Sequence, residues 1–196
     1  MQAGLLDTGF FAGAALLFLG CATLLSLERL AYAWIWIHPN RFRIAAAERG
    51  IADPVRALER LFLLFKLIQF GTFAAWISWF GARAGWPTHS APGVIALAVS
   101  LLIGGQALNA AVFLRLGRTG VFYGNRFGHA IPWQDGFPFS LLRHPQYAGT
   151  LASIWGLFLL LRYPYPDWLV LPLLQTAYYA WGAHIESGYR RLSGTA

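Results

Sequence analysis

"GVIALAVSLLIGGQALNAAVFLRLGRTGVFYGNRFG", residues 93 to 128, contains both signals on which the fold turns. From Gly93 to Leu114 it carries no charged residue, and about 20 apolar residues are enough to cross a bilayer as a helix. The remainder, "LGRTGVFYGNRFG", carries Gly120, Gly124 and Gly128 at i, i+4 and i+8, which on one helix would form a bare packing face. Yet Arg118, Asn125 and Arg126 do not suit a lipid-facing seam, and Gly117 lies outside the row. The stretch is therefore either a helix seam or a binding loop. We expect Gly117 and Gly120 to serve binding and Gly128 to serve packing.

Four other runs share the apolar character of the first part: residues 9 to 36, 61 to 80, 146 to 162 and 167 to 185. With 57% hydrophobic, 16% aromatic and 12% charged residues, the 196-residue chain reads as an integral membrane protein. The expected fold is all-α, a single domain over residues 1–196 with about five transmembrane helices. No strand is followed by GxGxxG and a downstream acid, so no Rossmann domain is expected. The formal charge of +7 comes from basic residues dispersed between apolar blocks, which suits anionic lipid and not nucleic acid. The lone Cys21 supports neither a disulfide framework nor a thiolate metal site, and no metal is expected.

Glu28-Arg29 interrupts the first run and predicts that its span ends near Leu27, leaving Tyr32, Trp34 and Trp36 in the interfacial belt. "RYPYPD", residues 162 to 167, predicts a tight hairpin between the last two spans. The loop after the first span holds Arg29, Arg41, Arg43, Arg49, Arg56 and Arg60, whereas the next holds only Arg83. The third holds Arg115, Arg118, Arg126 and Arg143, the fourth only Arg162, and the tail Arg190 and Arg191. Positive charge marks cytoplasmic loops, so the N-terminus is expected outside and the C-terminus inside. The first run lacks the flanks of a signal peptide and is expected to remain. Arginine in place of lysine, with abundant alanine and glycine, suggests a GC-rich genome and a bacterial inner membrane.

Within the spans, Lys66 is expected to snorkel to the interface or to hydrogen-bond between helices, and Gln106 and Asn109 to join helices. In the first loop, Asn40 to Arg49 reads as a short helix stopped by Gly50, and Asp53-Pro54 as the cap and first residue of the next. His38, His89 and His129 read as loop or interfacial residues.

Three blocks follow the third span in order: the glycines of LGxxGxxxGxxFG, Phe137-Pro138-Phe139, and the HPxYxG pattern from His144 to Gly149. In these the chain resembles the phospholipid methyltransferase family, the phosphatidylethanolamine N-methyltransferase type, from about residue 108 to the C-terminus. "RHPQY", residues 143 to 147, is similar as well to the isoprenylcysteine carboxyl methyltransferase superfamily. The resemblance implies a small helical membrane enzyme that binds S-adenosylmethionine at the cytosolic face, with residues of about 108–196 as the cofactor half. It implies transfer to a phospholipid headgroup amine, that of phosphatidylethanolamine or its methylated derivatives. Family members carry a Glu-Glu pair that holds the cofactor where this chain has Glu186-Ser187, and an acid is common where it has Asn125.

The residues themselves give a parallel reading. Gly117, Gly120 and Gly124 allow close approach of backbone and cofactor. Pro145 suits the first position of a helix with His144 as N-cap, and the exposed amides of that turn, with Arg143 beside them, can receive an anion. Tyr147, one turn in, is either a cofactor partner or a belt aromatic. Arg118 and Arg126 are candidates to hold the headgroup phosphate. An amine must lose a proton before attack, and the candidate bases are His144, His184 and Glu186. Two alternatives stay open: a membrane methyltransferase of another acceptor (an isoprenylcysteine carboxylate, a small thiol or amine), and a non-enzymatic scaffold or transporter. The implied partner is a membrane lipid substrate; homodimerisation is left open.

Overall fold

The computed structural model describes residues 2–84, 91–132 and 134–193, with side chains in 8–82, 91–132 and 134–187. Arg83, His89, Arg190 and Arg191 therefore lie outside the described side chains. Six α-helices follow one another without a strand among the described residues: α1 (Gln2–Ile37), α2 (Pro39–Glu48), α3 (Pro54–Ala84), α4 (Pro92–Val121), α5 (Pro145–Arg162) and α6 (Val170–Ser193). Four of them open on proline, whose absent N–H costs nothing at a helix start and whose φ is already helical. Asp53 caps α3 as expected, its Oδ1 accepting from the Val55 N–H at 2.9 Å. Gly50, at φ 76°, ends α2.

α1, α3 and α4 are long and apolar enough to cross a membrane, over Thr8–Ile37, Pro54–Ala82 and Pro92–Phe127. Leu16, Leu67, Ile103 and Leu114 stand exposed on them, as side chains facing acyl tails would. α5 and α6 form the expected hairpin. Its turn is clasped by Arg162, fully buried, whose Nε and Nη2 reach the two carboxylate oxygens of Asp167 at 2.8 and 2.9 Å. Arg162 is thus a structural residue and not a charge marking a loop.

α1 does not end at Leu27. It continues to Ile37, with Glu28 and Arg29 buried at 2% and 6% exposure. Pairing explains the difference, since Glu28 Oε1 receives Arg29 Nη2 at 2.5 Å and Lys66 Nζ of α3 at 3.2 Å. Charges matched inside the bundle need not leave it. Lys66 accordingly turns inward to join helices and does not snorkel.

Apolar burial drives little association between helices in lipid, where close contact and hydrogen bonds act instead. The close contact falls between α4 and α5. A Cβ on Gly149 would stand 2.7 Å from the Gly105 carbonyl oxygen, and one on Gly156 2.7 Å from that of Ala98. Gln106 Nε2 donates to Ser153 Oγ across the same seam at 2.8 Å.

The packing seam is therefore Gly105, Gly149 and Gly156, and the row Gly120, Gly124, Gly128 is not one. α4 breaks at Gly117 (φ 61°, ψ −179°), Gly124 begins a 3-10 turn ending at Phe127, and Gly128 closes it at φ 91° with no neighbour near its Cβ position. Gly128 serves a turn and not packing. The Gly117 conformation belongs almost to glycine alone and costs other residues about 1 to 3 kcal/mol. Gly117→Ala should therefore lower thermal stability in detergent, whereas Gly71→Ala, inside α3 with open space around it and no positive φ, should not lower it. Equal melting of the two variants would mean that the break is not needed.

This break folds the third loop back onto the first. Phe127 stacks on Phe42 of α2 at 5.8 Å, and Arg126 Nη2 donates to the Trp36 carbonyl at 2.7 Å. The arginine-rich loops one and three and the end of α6 thus share one end of the bundle.

Candidate active site

At that end the helices enclose a cavity of about 1200 Å³ lined from α1, α3, α4, α5 and α6. Its volume exceeds what one small ligand usually occupies. Glu186 of α6 projects into it. One carboxylate oxygen, Oε1, accepts from Tyr123 Oη at 2.8 Å and Tyr147 Oη at 2.5 Å. The other, Oε2, lies 3.8 Å from His144 Nδ1.

Each of these groups is held by its local chain. His144 is the residue before Pro145 and makes no side-chain cap on α5; its ring stacks on Tyr147 at 5.6 Å, and its Nε2 is 3.4 Å from Ser187 Oγ. Tyr123 sits at φ 56°, ψ 30°, left-handed for an aromatic residue and the sole non-glycine with positive φ among the described residues. Such a conformation costs about 1 to 3 kcal/mol and persists where surrounding contacts over-determine it. Here the contacts are its bond to Glu186 and edge packing on Trp36 and Tyr32 at 5.0 and 6.0 Å.

Around this centre stand polar atoms that the protein itself leaves without partners. Tyr32 Oη, Trp36 Nε1, Gln69 Nε2 and Asn109 Oδ1 are buried, lack a hydrogen bond, and belong to residues on the cavity wall. Buried groups of this kind normally find partners, so the cavity is suited to a ligand with its own donors and acceptors. The start of α5 also lines it through Pro145, Gln146 and Tyr147, where first-turn amides and the helix dipole favour an anion.

Of the residues singled out from sequence, the cavity gathers Gly120, Arg143, His144, Tyr147 and Glu186. Arg143 is exposed at the mouth. Gly117 and Gly124 are not on the wall: the first makes the break, and the second is pressed against Thr119. Arg118 pairs with Glu59 at 2.5 Å, and Arg126 is turned to Trp36, so neither lines the cavity. His184 is exposed and does not line it either. Sequence reasoning missed Glu28, Arg29 and Tyr123 as cavity residues. An acid and a base side by side inside an apolar run, with one lysine in the next, was the available signal.

Comparison with known proteins converges on the same half of the chain. The sequence pattern described as phospholipid methyltransferase matches residues 94–190. The chain is 32% identical over 126 residues, 63% of its own length and 67% of the relative's, to the phosphatidyl-N-methylethanolamine N-methyltransferase of Arabidopsis thaliana. No solved structure matches.

Proposed function

The chain belongs to the phospholipid methyltransferase family, and from that premise we propose that it transfers methyl groups from S-adenosylmethionine to the headgroup amine of phosphatidylethanolamine or its methylated derivatives, at the cytosolic face. The observation that carries this reading is the Glu186 cluster, a carboxylate fixed by two tyrosine hydroxyls beside His144 at the start of α5. The gathering of the arginine-bearing loops at the cavity end supports the cytosolic face. A bacterial inner membrane remains the proposed location.

The cavity residues fit the donor. Its carboxylate suits the first-turn amides of α5 and Arg143, its ammonium suits Glu186, and the unpartnered buried atoms suit its polar remainder. When bound it supplies an electrophilic methyl group on a sulfonium. Hydroxyl donors already meet Glu186, so it orients a bound group without reorganising. Tyr32, Tyr147 and Tyr179 wall the cavity, and their ring faces already hold the Arg29 guanidinium at 5.2, 5.8 and 4.1 Å. His144 is the proposed base. Its Nδ1 faces Glu186, and its Nε2, 3.4 Å from Ser187 Oγ, is the proposed acceptor, directly or through that hydroxyl, of the proton that the headgroup ammonium must lose before attack. Partly exposed at the mouth, the imidazole can return that proton to solvent. The remaining contribution is to hold amine and methyl group in line.

Expression in a bacterium that makes phosphatidylethanolamine but no phosphatidylcholine, followed by lipid mass spectrometry, tests the acceptor. Phosphatidylethanolamine species heavier by one, two or three methyl groups are expected. Unmodified lipids from cells containing folded protein would direct the reading to another acceptor.

A further inference from the structure

Glu28 and Arg29 on α1 and Lys66 and Gln69 on α3 line the cavity from outside the matched residues 94–190. Their charges do not balance. One carboxylate oxygen, Glu28 Oε1, serves both Arg29 Nη2 at 2.5 Å and Lys66 Nζ at 3.2 Å. Two buried or largely buried cations against one acid leave a net positive charge in a low-dielectric wall, and such a charge is costly unless something answers it.

Donors are also in surplus there. Gln69 is 3% exposed and turns its Oε1 to Lys66 Nζ at 2.8 Å. The opposite orientation would set its NH2 against an ammonium, so Nε2 is directed away from Lys66. It is buried without a partner, as is Arg29 Nε. Stacking of the Arg29 guanidinium on Tyr179, 4.1 Å from the ring centroid, fixes that donor in place. A purely structural ion pair requires neither the second cation nor the unmet donors. Beside Gln69, Phe70 is exposed at 62% on the outer surface of α3 and lines the same cavity, so this wall is open toward the acyl region. On α4, Gln106 and Asn109 oppose it as neutral amides, and the other carboxylates on the cavity wall, Asp135 and Glu186, form no ion pair with Arg29 or Lys66, whose acid is Glu28.

We infer that Glu28, Arg29, Lys66 and Gln69 form a subsite for an anionic oxygen group, the phosphodiester of the acceptor lipid or the carboxylate of the methyl donor. The lateral opening at Phe70 favours the phosphodiester. The assignment of these two sources rests on the methyl-transfer reading, whereas the subsite itself rests on the charge and donor surplus.

Binding without turnover separates the two. Purified wild type, Lys66→Gln, Lys66→Arg and Gln69→Leu are titrated with phosphatidylethanolamine, with diacylglycerol of the same chains, and with S-adenosylhomocysteine, by native mass spectrometry and calorimetry. Lys66→Gln should weaken phosphatidylethanolamine binding about tenfold, as loss of a charged hydrogen bond does. Diacylglycerol and S-adenosylhomocysteine binding should be unchanged, and Lys66→Arg should restore the lipid. Loss of S-adenosylhomocysteine binding with the lipid retained would support the subsite and give it to the donor carboxylate. If Lys66→Gln does not fold, Gln69→Leu decides by the same two losses. Folded variants that bind both ligands as wild type does would overturn the subsite alone. A wild type that binds neither ligand would overturn the methyl-transfer reading and the subsite together.

Discussion

Glu186→Gln should lower affinity for the methyl donor about ten- to a hundredfold while the protein keeps its fold. Hydrogen bonds to charged groups contribute about 1.5 to 3 kcal/mol, which sets that range. The amide retains one oxygen for Tyr123 and Tyr147, now bonded to Oε1 at 2.8 and 2.5 Å, so the helix-to-helix clasp survives. What it loses is the negative charge and the acceptor at Oε2, 3.8 Å from His144 Nδ1. The orienting partner of the proposed base goes with it, so turnover should fall further than binding. His184→Ala, two residues away but exposed and off the cavity, is the control and should be silent in both. Calorimetry with S-adenosylhomocysteine reads the first effect. Unchanged affinity in Glu186→Gln would reduce Glu186 to a clasp between α6, α5 and the loop that follows α4.

Gly149→Leu should prevent recovery of monodisperse protein, and Gly104→Leu should not. A Cβ on Gly149 would stand 2.7 Å from the Gly105 carbonyl oxygen and 2.8 Å from Asn109 Oδ1, one of them backbone that cannot rotate aside. Overpacking costs about 1 to 3 kcal/mol where neighbours can shift, and here α4 and α5 must separate. Gly104 is the adjacent glycine with nothing within 4 Å of its Cβ position. Size-exclusion profiles in detergent distinguish them. Similar profiles would show that the α4–α5 seam is not what holds the cavity half together.

Much of this was legible in sequence because it follows from local chemistry. Proline at positions 39, 54, 92 and 145, Gly50, and Asp53 mark helix ends through backbone rules that need no tertiary context. His144, Tyr147 and Glu186 were chosen separately and meet in one cluster. Spacing failed where it presumed a continuous helix. The i, i+4, i+8 glycines share no face once Gly117 breaks α4, and the residues that do pack, Gly105, Gly149 and Gly156, lie on two helices that no single-chain period can connect. Glu28-Arg29 misled for a different reason. A charged pair in an apolar run reads as an exit from the bilayer unless its partner is known, and Lys66 is 38 residues beyond Glu28. Arg118 and Arg126 looked available for phosphate because Glu59 and the Trp36 carbonyl, which take them, are distant in the chain.

If this cavity brings a methyl donor to a phospholipid amine, the purified protein transfers label from one to the other, and that transfer is the most direct measurement. Detergent-purified protein is reconstituted into vesicles containing phosphatidyl-N-methylethanolamine and incubated with methyl-tritiated S-adenosylmethionine, and the extracted lipids are separated. Tritium should appear in the dimethylated or trimethylated phospholipid, with Glu186→Gln and His144→Ala strongly reduced. Protein that binds S-adenosylmethionine yet leaves no tritium in this lipid, or in phosphatidylethanolamine offered in its place, would contradict the methyl-transfer reading.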